Sequence, residues 1–297
     1  MNIKDQIKKI SSNRVFINQK MNYSVILGLN VSNGARSPKL WNRAYKSLGI
    51  EAKMFAIDVS PNKIFDLLNA LKEDEYFSGG AIAAPYKEYA ASFLGTNLTR
   101  EASDIGAINC IFRSLDGTLY GTNTDGEGAL KAFENEFGKV DNRKTLILGV
   151  GGTGKAVAAY FSSAVSTLDN LSVSSRSNSA ANLAKVIGCK LYDWNELPKV
   201  IQDQDLIINC TSLGSSLMPD LMPLSKECVS SAQKSAIIYD VIYKPFPTRL
   251  LNCAESVGLK NLSGQNMNFE QAVAAFNYVV SKGRKDSHLD KVRIAMS

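Results

Sequence analysis

Apolar residues in the first half of the chain occur in short runs separated by longer segments in which apolar and polar positions alternate at helical spacing. The runs are rich in β-branched or small residues, as strands are. They lie at 24–30 (SVILGLN), 51–59 (EAKMFAIDV), 79–84 (GGAIAA) and 106–113 (GAINCIFR).

Two of the intervening segments carry helix-start signals. Ser37-Pro38 and Ser60-Pro61 each place a capping hydroxyl before a proline, and proline suits the first helical position. After Ser60, apolar residues form one helical face at Ile64, Leu67, Leu68 and Leu71. Strands that alternate with helices in this way predict an α/β fold.

A second series of strands begins near residue 145. Its predicted members are 145–150 (TLILGV), 171–176 (LSVSSR), 205–211 (DLIINCT) and 236–243 (AIIYDVIY). The segments GKAVAAYFSSAV and SNSAANLAKVIG between them are helical in composition. Repeated βα units of this spacing predict a doubly wound, Rossmann-type nucleotide domain. A final helix is predicted over 268–282, with apolar positions at Ala272, Val273, Phe276, Val279 and Val280.

Length and composition set the broad class. A chain of 297 residues suits two domains, and 45% hydrophobic with 21% charged residues is typical of a soluble protein. No apolar run approaches the ~18 to 20 residues of a membrane helix. The amino-terminal segment lacks the apolar centre of a secretory signal, so a cytoplasmic protein is expected.

The cysteines, the single histidine and the net charge restrict the kinds of site, mechanism and ligand expected for this chain. Five cysteines without C-x-x-C spacing are expected to be reduced thiols, and neither a disulfide framework nor a metal site is predicted. The only histidine, His288, is expected to be an exposed tail residue, so a mechanism built on histidine is disfavoured. The net charge of +6 favours anionic small molecules, and the scattered basic residues do not predict nucleic-acid binding.

The segment GVGGTGKA (149–156) fits two nucleotide-binding patterns. As G-x-x-x-x-G-K it resembles the phosphate loop of an NTP-dependent enzyme, with Lys155 placed for a phosphate. That loop needs Ser or Thr next to bind Mg²⁺, and the chain has Ala156. A transferase of this class, with Asp240 as its acidic strand end, stays the less favoured alternative.

The favoured interpretation is a dinucleotide turn of the form G-x-G-x-x-G. Gly149, Gly151 and Gly154 then allow the tight turn, the approach of the pyrophosphate and the packing of helix against strand. The next strand ends in Ser175-Arg176-Ser177 rather than in the acidic residue usual at NAD sites. Because a guanidinium binds a 2′-phosphate with several donors, NADP is the predicted cofactor.

With these motifs in order, the chain resembles the shikimate dehydrogenase family. The matching segments cover nearly all of the chain beyond the first twenty residues: RSPKLWN (36–42), APYKE (84–88), GAINCI (106–111), GTNTDGEG (121–128), GVGGTGKA (149–156), SSRS (174–177), NCTSLG (209–214), DVIYKP (240–245) and GQNMNFEQ (264–271).

The resemblance implies an organisation and an activity. It implies a substrate-binding catalytic domain over 1–125, a Rossmann NADP domain over 126–264, and a carboxyl-terminal helix within 265–297 that folds back onto the first domain. The expected reaction is reversible reduction of 3-dehydroshikimate to shikimate, a step of aromatic amino acid biosynthesis, without metal. A monomer or homodimer is expected, with the working cleft between the domains.

The resemblance also assigns residues. Lys87 and Asp125 match the pair that shares proton transfer, since a cation must stabilise the developing alkoxide and donate a proton. The resemblance implies substrate contacts from Ser37, Asn109, Tyr243 and Gln271. Arg36 is a further expected contact on its own chemistry, since a guanidinium can bind the substrate carboxylate in a bidentate pair. Cofactor contacts are expected from Gly149, Gly151, Gly152, Thr153, Gly154, Ser175, Arg176, Ser177, Thr211, Ser212, Val241 and Gly264.

The chain departs from the family where substrate is held. Ala35 replaces a serine, and the loop NVSNGARSP is rewritten and lengthened. Ala81 and Ala83 replace the Asn and Thr of an Asn-Val-Thr-x-Pro-x-Lys pattern. Because a buried polar group left unpaired costs about 1 to 3 kcal/mol, an altered acid-recognition pocket is predicted. Arg36 taking the carboxylate, Ser32 or Asn33 entering the space, and a non-catalytic NADP-binding role are the alternatives left open.

Overall fold

The computed structural model describes residues 2–17, 20–177, 179–284 and 289–297, which fold as two compact units. The first unit comprises residues 1–124 and 272–297, and the second comprises residues 125–271. Each unit is built on its own sheet, which confirms the predicted α/β class. His288 lies outside the described residues, so its predicted exposure stays a prediction.

The sheet of the first unit has the strand order β2-β1-β3-β4-β5, in which β1 pairs in parallel with β2 and β3, and β4 pairs antiparallel with both β3 and β5. The strands are β1 (Asn22–Gly28), β2 (Ala52–Asp58), β3 (Phe77–Ile82), β4 (Cys110–Arg113) and β5 (Leu119–Thr122). The predicted strand 106–113 is therefore shorter, because Gly106 ends a helix in the left-handed region with φ of +72°. β5 was not predicted.

Before residue 125, the α-helices of this unit are α1 (Ile3–Ile10), α2 (Ser37–Ser47), α3 (Ile64–Glu73), α4 (Lys87–Leu94) and α5 (Arg100–Ile105). The predicted apolar face of α3 is confirmed, since Ile64, Leu67, Leu68 and Leu71 are all buried.

The predicted capping role of Ser37 is wrong. The carbonyl of Arg36 accepts hydrogen bonds from Lys39 and Leu40, so Arg36 is the cap and Ser37 is the first helical residue. Ser60 precedes a short 3₁₀ turn, and its hydroxyl donates to Asn62 rather than accepting a backbone N–H.

The sheet of the second unit is parallel throughout, in the order β11-β10-β9-β6-β7-β8. Its strands are β6 (Thr145–Leu148), β7 (Leu171–Ser174), β8 (Lys190–Leu191), β9 (Leu206–Asn209), β10 (Ile237–Asp240) and β11 (Lys260–Ser263). Counted within the unit, this is the 3-2-1-4-5-6 order of a doubly wound dinucleotide fold, as predicted. In such a sheet the ligand crevice lies at the carboxyl ends of the strands where the order reverses, here β6 and β9.

The helices of the second unit are α6 (Asp125–Phe137), α7 (Gly152–Ala164), α8 (Ser179–Ile187), α9 (Leu197–Val200), α10 (Lys226–Ser230) and α11 (Arg249–Ser256). Helix α12 (Gly264–Val280) starts earlier than the predicted 268–282, and the chain ends in α13 (Leu289–Met296). Residues of α12 up to Gln271 belong to the second unit, and those from Ala272 belong to the first. No helix in the described ranges is long and apolar enough to cross a membrane.

Within the first unit, the later part of α12 packs through aromatic rings. Phe276 contacts Trp41 and Tyr45 of α2, with ring centroids 5.2 and 4.8 Å apart. The Cys110 thiol of β4 lies 3.6 Å from the Ala275 carbonyl oxygen. Aromatic packing and burial of this kind are large contributions to core stability, so this segment is integral to the first unit.

The outer edge of β2 is covered by asparagine side chains. Asn42 accepts from the Met54 N–H at 2.7 Å and donates to the Met54 carbonyl at 3.1 Å. Asn13 likewise accepts from the Asp58 N–H at 2.8 Å and donates to the Ala56 carbonyl at 3.0 Å. A carboxamide carries both a donor and an acceptor, so each asparagine takes the place of one residue of a further strand.

We expect Asn42→Ala to lower the free energy of unfolding by about 1 to 3 kcal/mol, because both Met54 backbone groups lose their partner. Urea unfolding measures the change. Asn62→Ala, at an exposed asparagine, is the control and should change stability by no more than about 0.5 kcal/mol. Equal losses in the two variants would contradict the role given to Asn42.

Candidate functional site

A glycine turn directly follows β6. Gly149 lies in the left-handed region with φ of +87°, and its N–H donates to the Ser174 carbonyl at 2.8 Å. A Cβ added to Gly154 would lie 2.0 Å from the Gly149 carbonyl oxygen. The turn and the close approach of α7 to β6 therefore both require glycine.

Gly151 and Gly152 border open space instead. A Cβ added to either residue would meet no atom within 4 Å. Gly151 caps α7 and offers no side chain to its first N–H groups, which leaves a helix start suited to an anion. These positions fit a dinucleotide pyrophosphate.

The phosphate-loop alternative finds little support in the same turn. Ala156 is fully buried, so the position that would carry a magnesium-binding hydroxyl faces the core. Thr153 is half-buried, and its hydroxyl lies 3.5 Å from an Asp125 carboxylate oxygen. Asp240 is occupied by hydrogen bonds within the protein, as described below.

The end of β7 presents hydroxyls and one cation. Ser175 and Ser177 have their hydroxyl oxygens 3.5 Å apart, and the Ser177 N–H donates to Ser175 Oγ at 3.4 Å. Arg176 between them is exposed, and its guanidinium carbon lies 5.7 Å from the centroid of the Trp194 ring. Because no acidic residue ends this strand, the segment fits a 2′-phosphate.

Two buried polar side chains join the ends of β9 and β10. Asn209 donates from Nδ2 to Asp240 Oδ1 at 3.0 Å, and its own Oδ1 accepts from the Thr211 N–H and hydroxyl at 2.9 and 2.7 Å. Asp240 also accepts from the Thr248 hydroxyl at 2.6 Å and from the Ile242 N–H at 3.1 Å. The network fixes the loop that contains Thr211 and Ser212, of which Ser212 is exposed.

Burial dominates the electrostatics of this network. It raises the pKa of the Asp240 carboxyl to about 6, although the hydrogen bonds from Thr248, Ile242 and Asn209 act in the opposite direction. Burial also raises the pKa of the neighbouring Cys210 thiol, and the Asp240 charge adds to that rise. Cys210 is thus not a thiolate nucleophile.

The segment after β10 passes close to the start of α12. A Cβ on Gly264 would lie 2.1 Å from the Val241 carbonyl oxygen, and the Val241 N–H donates to the Asn209 carbonyl at 3.1 Å. Tyr243 is 46% exposed. Val241 and Gly264 are therefore neighbours in the backbone, while Tyr243 is partly exposed to solvent.

In the first unit, the rewritten loop after β1 is attached to the end of β2. The Ser32 N–H donates to Asp58 Oδ1 at 2.8 Å, and the Ser32 hydroxyl donates to the other carboxylate oxygen. The Ala35 N–H donates to the Val31 carbonyl at 3.2 Å. This loop leads into Arg36, which is exposed, and Ser37, which is half-buried.

Lys87 follows the end of β3 and begins α4. It is half-buried, and its carbonyl accepts from the Ile108 N–H at 3.0 Å. The Ile82 N–H donates to the Asn109 carbonyl at 2.8 Å. These bonds bring Lys87 and Asn109 to the same region at the carboxyl end of β3.

Asn109 holds the segment before α6. Its Oδ1 accepts from the Thr124 N–H at 2.8 Å and lies 3.2 Å from the Thr124 hydroxyl. Asn109 is only 4% exposed, so these bonds are shielded from water. These bonds fix the backbone of Thr124, the last residue of this part of the first unit.

Asp125 and Gln271 belong to the second unit. Asp125 is buried at the start of α6, and a Cβ on the next residue, Gly126, would lie 2.2 Å from the Ala156 carbonyl oxygen. A Cβ on Gly128 would lie 2.6 Å from the Gln271 nitrogen. The Gln271 amide donates to the Asn268 carbonyl at 2.9 Å. Both residues therefore lie where α6 packs closely against its neighbours.

Within each unit, the predicted residues gather at strand ends. Lys87 follows β3, Asn109 precedes β4, and Arg36 and Ser37 lie after β1. The predicted cofactor residues follow β6, β7, β9, β10 and β11. Sequence reasoning missed the supporting side chains Asp58, Asn209 and Trp194, and it considered Asp240 only as a metal ligand. The signal for Asn209 and Asp240 was their place at the ends of two predicted apolar strands.

The glycine turn on a doubly wound sheet defines a dinucleotide-binding protein of the Rossmann class. Two family models match the chain: the shikimate dehydrogenase substrate binding domain over residues 26–111, and shikimate / quinate 5-dehydrogenase over residues 131–241. The NADP(+)-dependent shikimate dehydrogenase of Pyrococcus abyssi is 35% identical over 252 residues, which cover 84% of this chain and 89% of that protein. The chain belongs to the shikimate dehydrogenase family.

Solved structures agree with this assignment. A shikimate dehydrogenase crystallised with NADP+ matches with a TM-score of 0.80 and 27% identity, covering 95% of this chain and 96% of that one. The quinate dehydrogenase of Corynebacterium glutamicum in complex with NAD matches with a TM-score of 0.77 and 26% identity, covering 93% and 98%. These two structures are named for different hydroxy acids, and one contains NADP+ whereas the other contains NAD.

The raised pKa of Asp240 predicts a pH-dependent contribution to stability. Folding favours the protonated carboxyl, so this contribution is full below the ordinary pKa of 3.8 and is lost as the pH rises through about 6. Relative to Asp240→Asn, the wild-type free energy of unfolding should fall by about 2 kcal/mol between about pH 4 and pH 7.

Urea unfolding of both proteins across this range measures the difference. Asp220→Asn, at an exposed carboxylate of the same unit, is the control. A constant difference between wild type and Asp240→Asn at every pH would contradict the buried, raised-pKa carboxyl.

Proposed function

We propose that the protein is an NADP-dependent dehydrogenase that transfers hydride reversibly between NADPH and 3-dehydroshikimate or a closely related cyclic keto acid. The observation that carries the proposal is similarity to NADP(+)-dependent shikimate dehydrogenases along most of the chain. The first unit is the proposed substrate domain and the second the proposed cofactor domain.

The second unit provides a fitting cofactor site. Gly149, Gly151, Gly152, Thr153 and Gly154 would hold the pyrophosphate at the start of α7. Ser175, Arg176 and Ser177 would hold the 2′-phosphate through charge-assisted hydrogen bonds. Thr211, Ser212, Val241 and Gly264 would line the nicotinamide side. The reduced nicotinamide supplies the hydride when NADPH is bound.

Lys87 is the proposed proton donor. Hydride addition to a ketone leaves negative charge on oxygen, and an ammonium both stabilises that charge and delivers a proton. In the oxidative direction the neutral amine takes the proton from the hydroxyl. Lys87 suits this role because its half-buried position at the end of β3 limits competition from water.

Asp125 is the proposed carboxylate partner of Lys87. A carboxylate can orient an ammonium through a charge-assisted hydrogen bond. The Asn109–Thr124 hydrogen bonds support this assignment, since they fix the backbone immediately before Asp125.

Asn109, Gln271, Tyr243, Ser37 and Arg36 are the proposed substrate contacts. Arg36 is exposed on the loop before α2 and is the proposed partner of the substrate carboxylate, which suits a bidentate guanidinium. Ser37 adjoins it at the first position of the helix.

The acid-recognition pocket is proposed to be altered. A Cβ added to Gly28 would lie 2.4 Å from Val31 Cγ1 and 3.0 Å from Ala83 Cβ. Apolar groups therefore occupy this region. Ser32 is held by Asp58. Ala35, Ala81 and Ala83 stand where the family pattern has hydroxyl or amide side chains. The loss of these polar groups supports weaker binding of a polyhydroxylated acid.

A substrate and cofactor panel tests the proposed function. Shikimate and quinate are each assayed with NADP+ and NAD+, and absorbance of the reduced nicotinamide is followed. We expect shikimate-dependent reduction of NADP+ with a raised KM. Ala35→Ser should lower that KM about two- to tenfold without changing kcat, because it restores one hydrogen-bonding hydroxyl. Ala84→Ser, at an exposed alanine of the neighbouring loop, is the control.

The panel also separates the alternatives. Faster oxidation of quinate than of shikimate would indicate that quinate, the acid for which the Corynebacterium relative is named, is the substrate. NADPH binding without turnover of either acid would indicate a non-catalytic cofactor-binding protein. Shikimate turnover that Ala35→Ser leaves unchanged would remove the altered-pocket part of the proposal.

Lys87→Met should lower kcat by about 10²- to 10⁴-fold, the usual contribution of a general acid, while the Kd for NADPH stays unchanged. Asp125→Asn should lower kcat in the same direction. The double variant should be no slower than Lys87→Met, since Asp125 acts through Lys87. Steady-state kinetics and NADPH titration give both quantities.

Lys155→Met is the matched control, a lysine-to-methionine change in the glycine turn. It should leave kcat within about twofold, because the dinucleotide turn acts through backbone groups. Additive losses in the Lys87 and Asp125 variants would contradict the shared role.

A further inference from the structure

The end of β7 is placed next to a tryptophan by strand pairing. β8 pairs with β7 at Ser172 and Val173, and the following Tyr192 N–H donates to the Val173 carbonyl at 3.0 Å. The chain then turns at Asp193 into the 3₁₀ segment that begins with Trp194. Trp194 is thereby brought beside Arg176.

The Trp194 ring is anchored on one side and covered by a cation on another. It packs against a buried cluster that includes Leu148, Leu197 and Ile201. The Arg176 guanidinium carbon lies 5.7 Å from the ring centroid, within the range of a cation–π contact. A cation–π contact does not use the hydrogen-bonding capacity of the guanidinium, so its N–H donors stay available for a phosphate.

The acidic residues beside Trp194 are occupied elsewhere. Asp193 Oδ1 accepts from the Asn195 N–H at 2.8 Å, and Glu196 Oε2 accepts from the Asp193 N–H at 2.9 Å, which forms a capping box. Across the residues that the structure describes, Arg176 makes no ion pair with a carboxylate. The arginine is thus held by a ring rather than by a competing negative charge.

We propose that Trp194 is a positioning residue that holds Arg176 for recognition of a ribose 2′-phosphate and so contributes to the choice of NADP over NAD. The inference rests on the proposed cofactor site. Orienting the guanidinium before binding reduces the conformational entropy lost when the phosphate binds. Trp194 acts through Arg176, so its effect requires both the arginine and the phosphate.

The test measures binding of two nucleotides that need no catalysis, adenosine 2′,5′-bisphosphate and adenosine 5′-monophosphate. Isothermal titration calorimetry compares wild type, Trp194→Leu, Trp194→Phe, Arg176→Gln and the Arg176→Gln/Trp194→Leu double variant. Arg176→Gln should weaken bisphosphate binding about tenfold or more, since it removes charged hydrogen bonds. Trp194→Leu should weaken it about two- to fivefold, with monophosphate binding unchanged.

Two further comparisons make the result specific. Trp194→Phe should retain part of the affinity because it keeps an aromatic face, and the double variant should match Arg176→Gln. Tyr192→Leu changes another aromatic residue on the same core and should leave both affinities unchanged.

Two outcomes would overturn the inference. Equal weakening of both nucleotides by Trp194→Leu would show that the ring contacts the adenosine or supports the fold. Further weakening of bisphosphate binding by Trp194→Leu in the Arg176→Gln background would show that it acts independently of the arginine. Neither readout depends on hydride transfer, so a failure of the proposed dehydrogenase activity is detected separately.

Discussion

The close contact between α7 and β6 is the constraint on which the cofactor half of the molecule depends. With 2.0 Å between a Cβ at Gly154 and the Gly149 carbonyl, no other residue fits without moving the helix. The same approach brings the start of α7 over the crevice between β6 and β9, with open space at Gly151 and Gly152. Helix dipole, unsatisfied N–H groups and absence of side chains then act together to favour a phosphate. The residues at the ends of β7, β9 and β10 are arranged around that fixed point.

Asparagine side chains hold backbone groups at four places in the molecule. Asn13 and Asn42 complete the edge of β2, Asn109 fixes Thr124, and Asn209 links the β9 loop to Asp240. The shared reason is that a carboxamide offers a donor and an acceptor on one short, uncharged side chain. It can satisfy buried backbone groups without the desolvation cost of an ion. Asp240 carries that cost, and its raised pKa is the result.

The two proposed binding regions differ in how closely they keep the chemistry of the family. The cofactor side keeps the glycine turn and replaces a carboxylate with a serine-flanked arginine that rests on Trp194. The substrate side keeps Lys87 and Asn109 but has alanines where polar contacts are expected, and its loop is secured by Ser32 and Asp58. Hydride chemistry needs only the cofactor and a proton donor, whereas recognition of the acid depends on the surrounding hydroxyls and amides. That division is the basis for proposing an altered acid-recognition pocket together with an unchanged hydride-transfer reaction.

The sequence by itself determined the α/β class, the glycine turn and most of the strands, because these depend on local periodicity and on residues with special backbone freedom. It did not predict β5, β8 or β11, which are short and are stabilised by pairing with neighbouring strands. It also misplaced the start of α2, where Arg36 rather than Ser37 is the cap, since loop backbone bonds set the first turn. Only the tertiary structure revealed the contact of Arg176 with Trp194 and the links from Ser32 to Asp58 and from Asn209 to Asp240. Those pairs are distant along the chain, and no local pattern specifies which side chains meet when strands fold side by side.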